Sequence, residues 1–138
     1  MWEKFVLFSA LSGMTGLTRL PIGRILADPL CADLYRRALD EAAQVGLRKC
    51  GTLCSDVADR QWAFSQALPP TTTPSMLDDL EHGKRLELND LSGAVVRLGR
   101  EMGIETPVHA VIQAALQPNV MGRVSAPSGT AIPCLLVA

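Results

Sequence analysis

The sequence predicts an all-α fold. Apolar residues recur at steps of three and four along most of the chain, the period of a helix and not that of a half-buried strand. Asp, Ser, Pro and Gly stand where helix starts and stops would put them. Aromatics make up only 4% of the 138 residues, so the core must come from Leu, Val, Ile, Met and Ala, a composition that favours helices over a β-sandwich. No alternating run of useful length and no internal repeat is present.

Trp2 to Met14 reads as a first helix ending in the Gly13–Gly16 region, followed by a short connecting helix from Pro21 to Ala27. Asp28 as N-cap and Pro29 at the first helical position open a third helix running to about Gly46. Its Leu30, Leu34, Ala38, Ala42 and Val45 form one inward stripe, which leaves Arg36, Arg37, Asp40 and Glu41 on the surface. Ser55 or Asp56 caps a helix reaching about Leu68, and Pro69-Pro70-Thr71-Thr72-Thr73-Pro74 then forces a loop. A short helix spans Ser75 to Glu81, stopped by His82-Gly83. The clearest periodicity runs from Leu86 to Met102, with Leu88, Leu91, Val95, Leu98 and Met102 on one face and Gly103 at the C′ position. Thr106 and Pro107 start the last helix, with Val108, Ile112, Ala115 and Leu116 inward. The pattern fails from about Pro118. The chain therefore divides into a helical domain, residues 1–122, and a flexible or extraneous tail, residues 123–138.

Charge and composition exclude several functions. With 48% hydrophobic and 20% charged residues the chain is an ordinary globular one. A net charge of −1 gives no basic footprint for nucleic acid and no polybasic membrane anchor. The apolar run near Met1 is too short to span a bilayer and has no signal-peptide pattern, so the expected location is cytoplasmic. Cys31, Cys50, Cys54 and Cys134 with His82 and His109 lack the tandem spacing of a zinc module, so no metal is expected. The glycines form neither G-x-G-x-x-G nor a P-loop, so this chain is not expected to hold a dinucleotide by itself.

Three stretches taken together carry a family resemblance: Trp2-Glu3-Lys4-Phe5-Val6-Leu7; Pro74-Ser75-Met76-Leu77-Asp78-Asp79-Leu80 with Glu87-Leu88-Asn89-Asp90-Leu91-Ser92-Gly93; and Gly103-Ile104-Glu105-Thr106-Pro107. Asp40-Glu41-Ala42-Ala43 and Gly46 fit the same pattern. From about residue 2 to 121 the chain resembles the C-terminal helical domain of ketopantoate reductase (2-dehydropantoate 2-reductase), of the 6-phosphogluconate dehydrogenase-like type. The resemblance implies a Rossmann domain outside this chain that binds NADPH, a 2-keto acid in the cleft between the two, reduction to a 2-hydroxy acid on the route to pantothenate, and a possible homodimer. The fragment alone is then expected to be inactive. A reading from another class is a non-catalytic helical dimerisation or interaction module, which the stripe from Leu88 to Met102 also suits.

Several residues then become site candidates. Lys4 matches the family's catalytic lysine, and a cation there stabilises the charge that builds on a ketone oxygen during reduction; the plain reading is a snorkelling surface lysine. Ser75 matches the serine that holds the substrate carboxylate at a helix start, although Ser75 with Asp78 is also an ordinary capping pattern. Glu87 matches the glutamate that accepts a substrate hydroxyl and orients the lysine; alone it reads as a first-turn acid complementing a helix dipole. The family places Asn four and eight residues after the lysine, where this chain has Phe8 and Ser12, and Thr72 stands where the family often has Asn. The substrate pocket is therefore expected to be less polar than the family's usual one.

Overall fold

The computed structural model describes residues 1–123. Seven α-helices and one 3-10 turn make up its regular structure, with no strand among the described residues: α1 (Trp2–Thr18), α2 (Ile22–Ala27), α3 (Pro29–Lys49), α4 (Val57–Ala67), α5 (Ser75–Glu81), α6 (Ser92–Met102), α7 (Pro107–Leu116) and the turn Gln117–Asn119. Of the tail expected at 123–138, only Arg123 is described, its amide bonded to the Gly83 carbonyl at 3.0 Å; residues 124–138 lie outside the described residues.

The first helix is the axle of the fold. It packs against each of the other six helices, and every residue from Ser9 to Gly16 is buried. A helix with apolar or small residues all round belongs in a core and not on a surface. Gly13 and Gly16 do not end it, contrary to the sequence reading; α1 runs on to Thr18 and is capped by Arg19 in the left-handed conformation. Gly13 is instead a contact residue, since a Cβ there would stand 2.9 Å from Ile112 Cδ1 and 3.0 Å from Ser92 Oγ. Its missing side chain lets α7 and the start of α6 close on α1.

Asp28 caps α3 as expected, its Oδ1 accepting from Leu30 N and Cys31 N at 2.9 Å each. The inward face of α3 differs from the predicted stripe. Leu30 is 83% exposed, while Tyr35, Ala38, Leu39, Ala42 and Val45 are fully buried. Leu30 sits in the first turn, before α3 reaches its neighbours. The larger correction is Glu41, assigned to the surface by its charge but buried at the α3–α7 contact. Its Oε1 accepts from Val108 N (2.8 Å) and its Oε2 from His109 N (3.0 Å), so a side chain from α3 satisfies the free amides that begin α7. Thr106, the local N-cap, contributes no side-chain bond.

His109 extends this polar knot. It is fully buried, with Nε2 bonded to the Ala38 carbonyl (2.9 Å) and Nδ1 to Ser92 Oγ (3.1 Å), joining α3, α6 and α7. The carbonyl fixes Nε2–H as the donor, leaving Nδ1 to accept from the serine. Burial pushes the imidazole down to about 4 and pushes the Glu41 carboxyl up, the latter opposed by its two amide donors and by Arg37.

The sixth helix is shorter than its periodicity predicts, starting at Ser92 and not at Leu86. Residues 86–91 form turns: Leu86 N–H bonds to the Val120 carbonyl (2.9 Å), and Leu88 O accepts from Leu91 N (3.3 Å) and Gly93 N (2.9 Å). A tertiary partner for Leu86 and the Asn89-Asp90 pair, favoured in turns, override the helical spacing while Leu88 still reaches the core. Ala115 is exposed on α7, again against expectation; Val108, Ile112 and Leu116 are buried as expected, with His109 beside them.

Candidate active site

The groove of interest is built from three parts of the chain. One wall is α1, which presents Lys4, Phe8 and Ser12 at successive turns, with Met1 and Phe5 beside them. Pro74 and Ser75 at the start of α5, and Glu87 and Leu91 from the turns before α6, complete it. The enclosed space is about 440 Å³, within the roughly 300–1,000 Å³ usual for small-molecule sites.

Local contacts fix the α1 wall. Glu3, beside Lys4, pairs with Arg60 of α4 (2.5 Å), and Arg60 also holds Asp56 (3.1 Å). The Trp2 and Phe5 rings meet edge to face at 5.3 Å between centroids. The buried face of α1, from Val6 and Leu7 through Gly16, sets the rotation of the helix, and Lys4 is left exposed at the groove and free of an ion-pair partner among the described residues. Glu87 is likewise exposed and without an ion-pair partner among the described residues, and both side chains line the same groove.

Ser75 does not cap α5. Pro74 is the N-cap residue and no side chain bonds to the first amides, so the capping reading of Ser75 and Asp78 is not what the helix uses. Asp78 instead faces His82 (3.2 Å) and Lys84 (3.7 Å). Thr72 is not among the residues lining the groove. It is half-buried, and its carbonyl accepts from Ile22 N at 3.1 Å, fastening the 69–74 loop to the start of α2. Sequence reasoning brought Lys4, Phe8, Ser12, Ser75 and Glu87 forward but passed over Phe5 and Leu91. Leu91 had a helical period that assigned it to the core, and it does pack there, half-buried, while also lining the groove.

Two other hollows lack this combination. The one bounded by Arg19, Lys84 and Arg123 lies at the C-terminal ends of α1 and α5, where cations are the ordinary complement of helix dipoles. A wider one, about 520 Å³, runs along α6 and α7 past Gly99, Ile104 and Pro107. Among the described residues no group of His, Cys, Asp or Glu is placed to hold a metal, and no helix is long and apolar enough to cross a membrane.

Residues 1–119 match the family model described as ketopantoate reductase PanE/ApbA C terminal. Among curated relatives, the 2-dehydropantoate 2-reductase of Aquifex aeolicus is 32% identical over 80% of this chain and 36% of its own length. That of Archaeoglobus fulgidus is 31% identical over 81% of this chain and 37% of its own. The chain thus spans little more than a third of the length of these relatives. The PanE/ApbA family ketopantoate reductase structure from Ralstonia eutropha superposes with a TM-score of 0.78 at 28% identity, over 87% of this chain and 40% of that one. The chain belongs to the ketopantoate reductase family and corresponds to its C-terminal helical domain.

Proposed function

We propose that this chain is the substrate-binding half of a cytoplasmic, NADPH-dependent reductase that converts a 2-keto acid, ketopantoate or a relative, to a 2-hydroxy acid. The observation that supports this reading is the groove shared by Lys4, Ser75 and Glu87, residues far apart in sequence, in a chain of this family. The sequence has no G-x-G-x-x-G, and no strand occurs among the described residues, so this reading assigns the dinucleotide to a domain outside this chain. The hydride is supplied by NADPH held on a separate nucleotide-binding domain.

The chain's own residues prepare the ketone. The Lys4 ammonium bonds to the carbonyl oxygen, draws charge toward it as the carbonyl carbon is reduced, and gives up a proton to the resulting alkoxide. Ser75, whose hydroxyl is not spent on its helix, donates to the substrate carboxylate. Glu87 accepts from the Lys4 ammonium beside the bound substrate and holds it on the reacting oxygen. The test is NADPH oxidation by the intact two-domain enzyme with 2-keto acids, comparing the parent with Lys4→Ala. Loss of turnover in the variant with NADPH binding retained is the expected result; equal turnover would remove Lys4 from the reaction and favour a non-catalytic helical module.

A further inference from the structure

Four hydroxyl side chains lie along α1, and three are turned back onto the helix. Ser9 Oγ donates to the Phe5 carbonyl, Thr15 Oγ1 to Leu11 and Thr18 Oγ1 to Met14, each at 2.7 Å. Ser12 makes no such bond among the described residues, although it is only 3% exposed, and it lines the groove. No buried side-chain oxygen or nitrogen among the described residues lacks a partner, so the unbonded Ser12 hydroxyl is the part of that residue that reaches the open groove. The hydroxyl of Ser75 is also unbonded among the described residues. One turn beyond Ser12, α1 closes on α5: a Cβ at Gly16 would lie 3.3 Å from Met76 Cε. Ser75 precedes Met76, so both hydroxyls lie on the side of the groove where α1 meets the start of α5.

The rest of the lining is of the opposite character. Phe8 lies between Lys4 and Ser12 on the same face of α1 and leaves 46% of its surface uncovered. Met1, Phe5, Pro74 and Leu91 are its apolar company in the groove. A 2-keto acid has three arms at its carbonyl carbon: an oxygen, a carboxylate and a substituent. Lys4 suits the oxygen and the paired serines suit the carboxylate. With Glu87 engaged on the lysine, what remains for the substituent is a surface of phenyl ring and aliphatic carbon, which rewards an apolar group and leaves a hydroxyl unpaired.

Within the reductase reading, on which this rests, we propose that the groove selects 2-keto acids bearing an aromatic or large apolar substituent. Phe8 packs against that substituent, and Ser12 joins Ser75 in holding the carboxylate. Phe8 is then the specificity-determining residue and Ser12 a general anchor.

The experiment compares kcat/KM for phenylpyruvate and for ketopantoate in the intact enzyme, in the parent, Phe8→Asn and Ser12→Ala. The parent is expected to favour phenylpyruvate by roughly tenfold or more, and Phe8→Asn to move the ratio toward ketopantoate by about the same factor. Ser12→Ala lowers kcat/KM for both substrates alike, by raising KM with kcat little changed. A parent that prefers ketopantoate overturns the proposal without any variant, and so does a ratio that Phe8→Asn leaves where it was; the reductase reading survives either result. Turnover of neither keto acid by enzyme that binds NADPH overturns the reductase reading itself, and this inference with it.

Discussion

The molecule holds two clusters of nearly the same ingredients and opposite fates. The buried knot has an acid, an imidazole and a serine, Glu41, His109 and Ser92; the groove has an acid, an ammonium and two serines, Glu87, Lys4, Ser12 and Ser75. In the knot each side chain is bonded within the protein, to amides of α7, to the Ala38 carbonyl or to one another. In the groove none of the four side chains is bonded to another among the described residues. A satisfied buried network rigidifies a fold. Exposed polar groups gathered in one groove without protein partners are open to a ligand, the role proposed for them above. The same side-chain chemistry thus serves the architecture in the knot and, in the function proposed above, a ligand in the groove.

The sharpest way to break that contrast is to delete one charge from each cluster. Lys4→Ala should cost about 10²–10⁴-fold in kcat, the range for a lost general acid, with folding stability changed by no more than about 0.5 kcal/mol because the side chain is exposed. Glu41→Ala should do the reverse. It strips the start of α7 of two bonded amides and leaves a void, which together cost about 2–4 kcal/mol of stability. Urea denaturation of both variants beside turnover measurements reads the two effects on one plot. If Lys4→Ala proved the unstable one and Glu41→Ala the inactive but stable one, the division of roles would be reversed.

A smaller effect separates the clusters by pH. His109 is held at about 4 in the folded chain against about 6.5 in an unfolded one, so between those values the unfolded state binds the additional proton. Its contribution is intact above about 6.5 and is lost as pH falls through the folded value, up to about 3 kcal/mol in all. Glu41 runs the other way: its raised carboxyl favours the fold below its unfolded value and loses that contribution as pH rises through the folded one, so it offsets part of the acid loss. Urea midpoints should therefore fall from pH 7 to 4.5, and His109→Gln, less stable at neutral pH, should show a flatter fall. A parallel slope in the variant would mean the knot does not govern acid stability.

These clusters also mark where the sequence could be read and where it could not. The helices, their proline starts and the Gly103 stop follow from local chemistry, since Asp28 and Gly103 act through bonds and backbone angles within a few residues. Glu41 was illegible because its partners, Val108 and His109, are 67 and 68 positions away. Charge alone assigned it to the solvent. The turns at 86–91 were missed for the same reason: the Val120 carbonyl that takes the Leu86 amide lies far along the chain. The groove residues came forward through family likeness and not through spacing, which is why Lys4, Ser75 and Glu87 could be named together while Phe5 and Leu91 could not. Thr72 was named by the same likeness, yet its carbonyl serves the start of α2.

The smallest predicted effect is also the most direct comparison, because the same substitution can be made in both clusters. Ser92→Ala in the knot leaves the buried His109 Nδ1 without its partner among the described residues, so about 1–2 kcal/mol of stability should be lost. Ser75→Ala in the groove removes a hydroxyl that caps nothing, and alanine is at least as good a helix former at the first position of α5. Stability should therefore hold to within about 0.5 kcal/mol, while KM for a 2-keto acid rises about three- to tenfold through one lost hydrogen bond to a carboxylate. Steady-state kinetics on the intact enzyme and urea titrations on both variants give the four numbers required. A destabilised Ser75→Ala with unchanged KM would make Ser75 a capping residue after all. It would also withdraw the premise on which the groove is distinguished from the knot, that hydroxyls left free by the fold are there for a ligand.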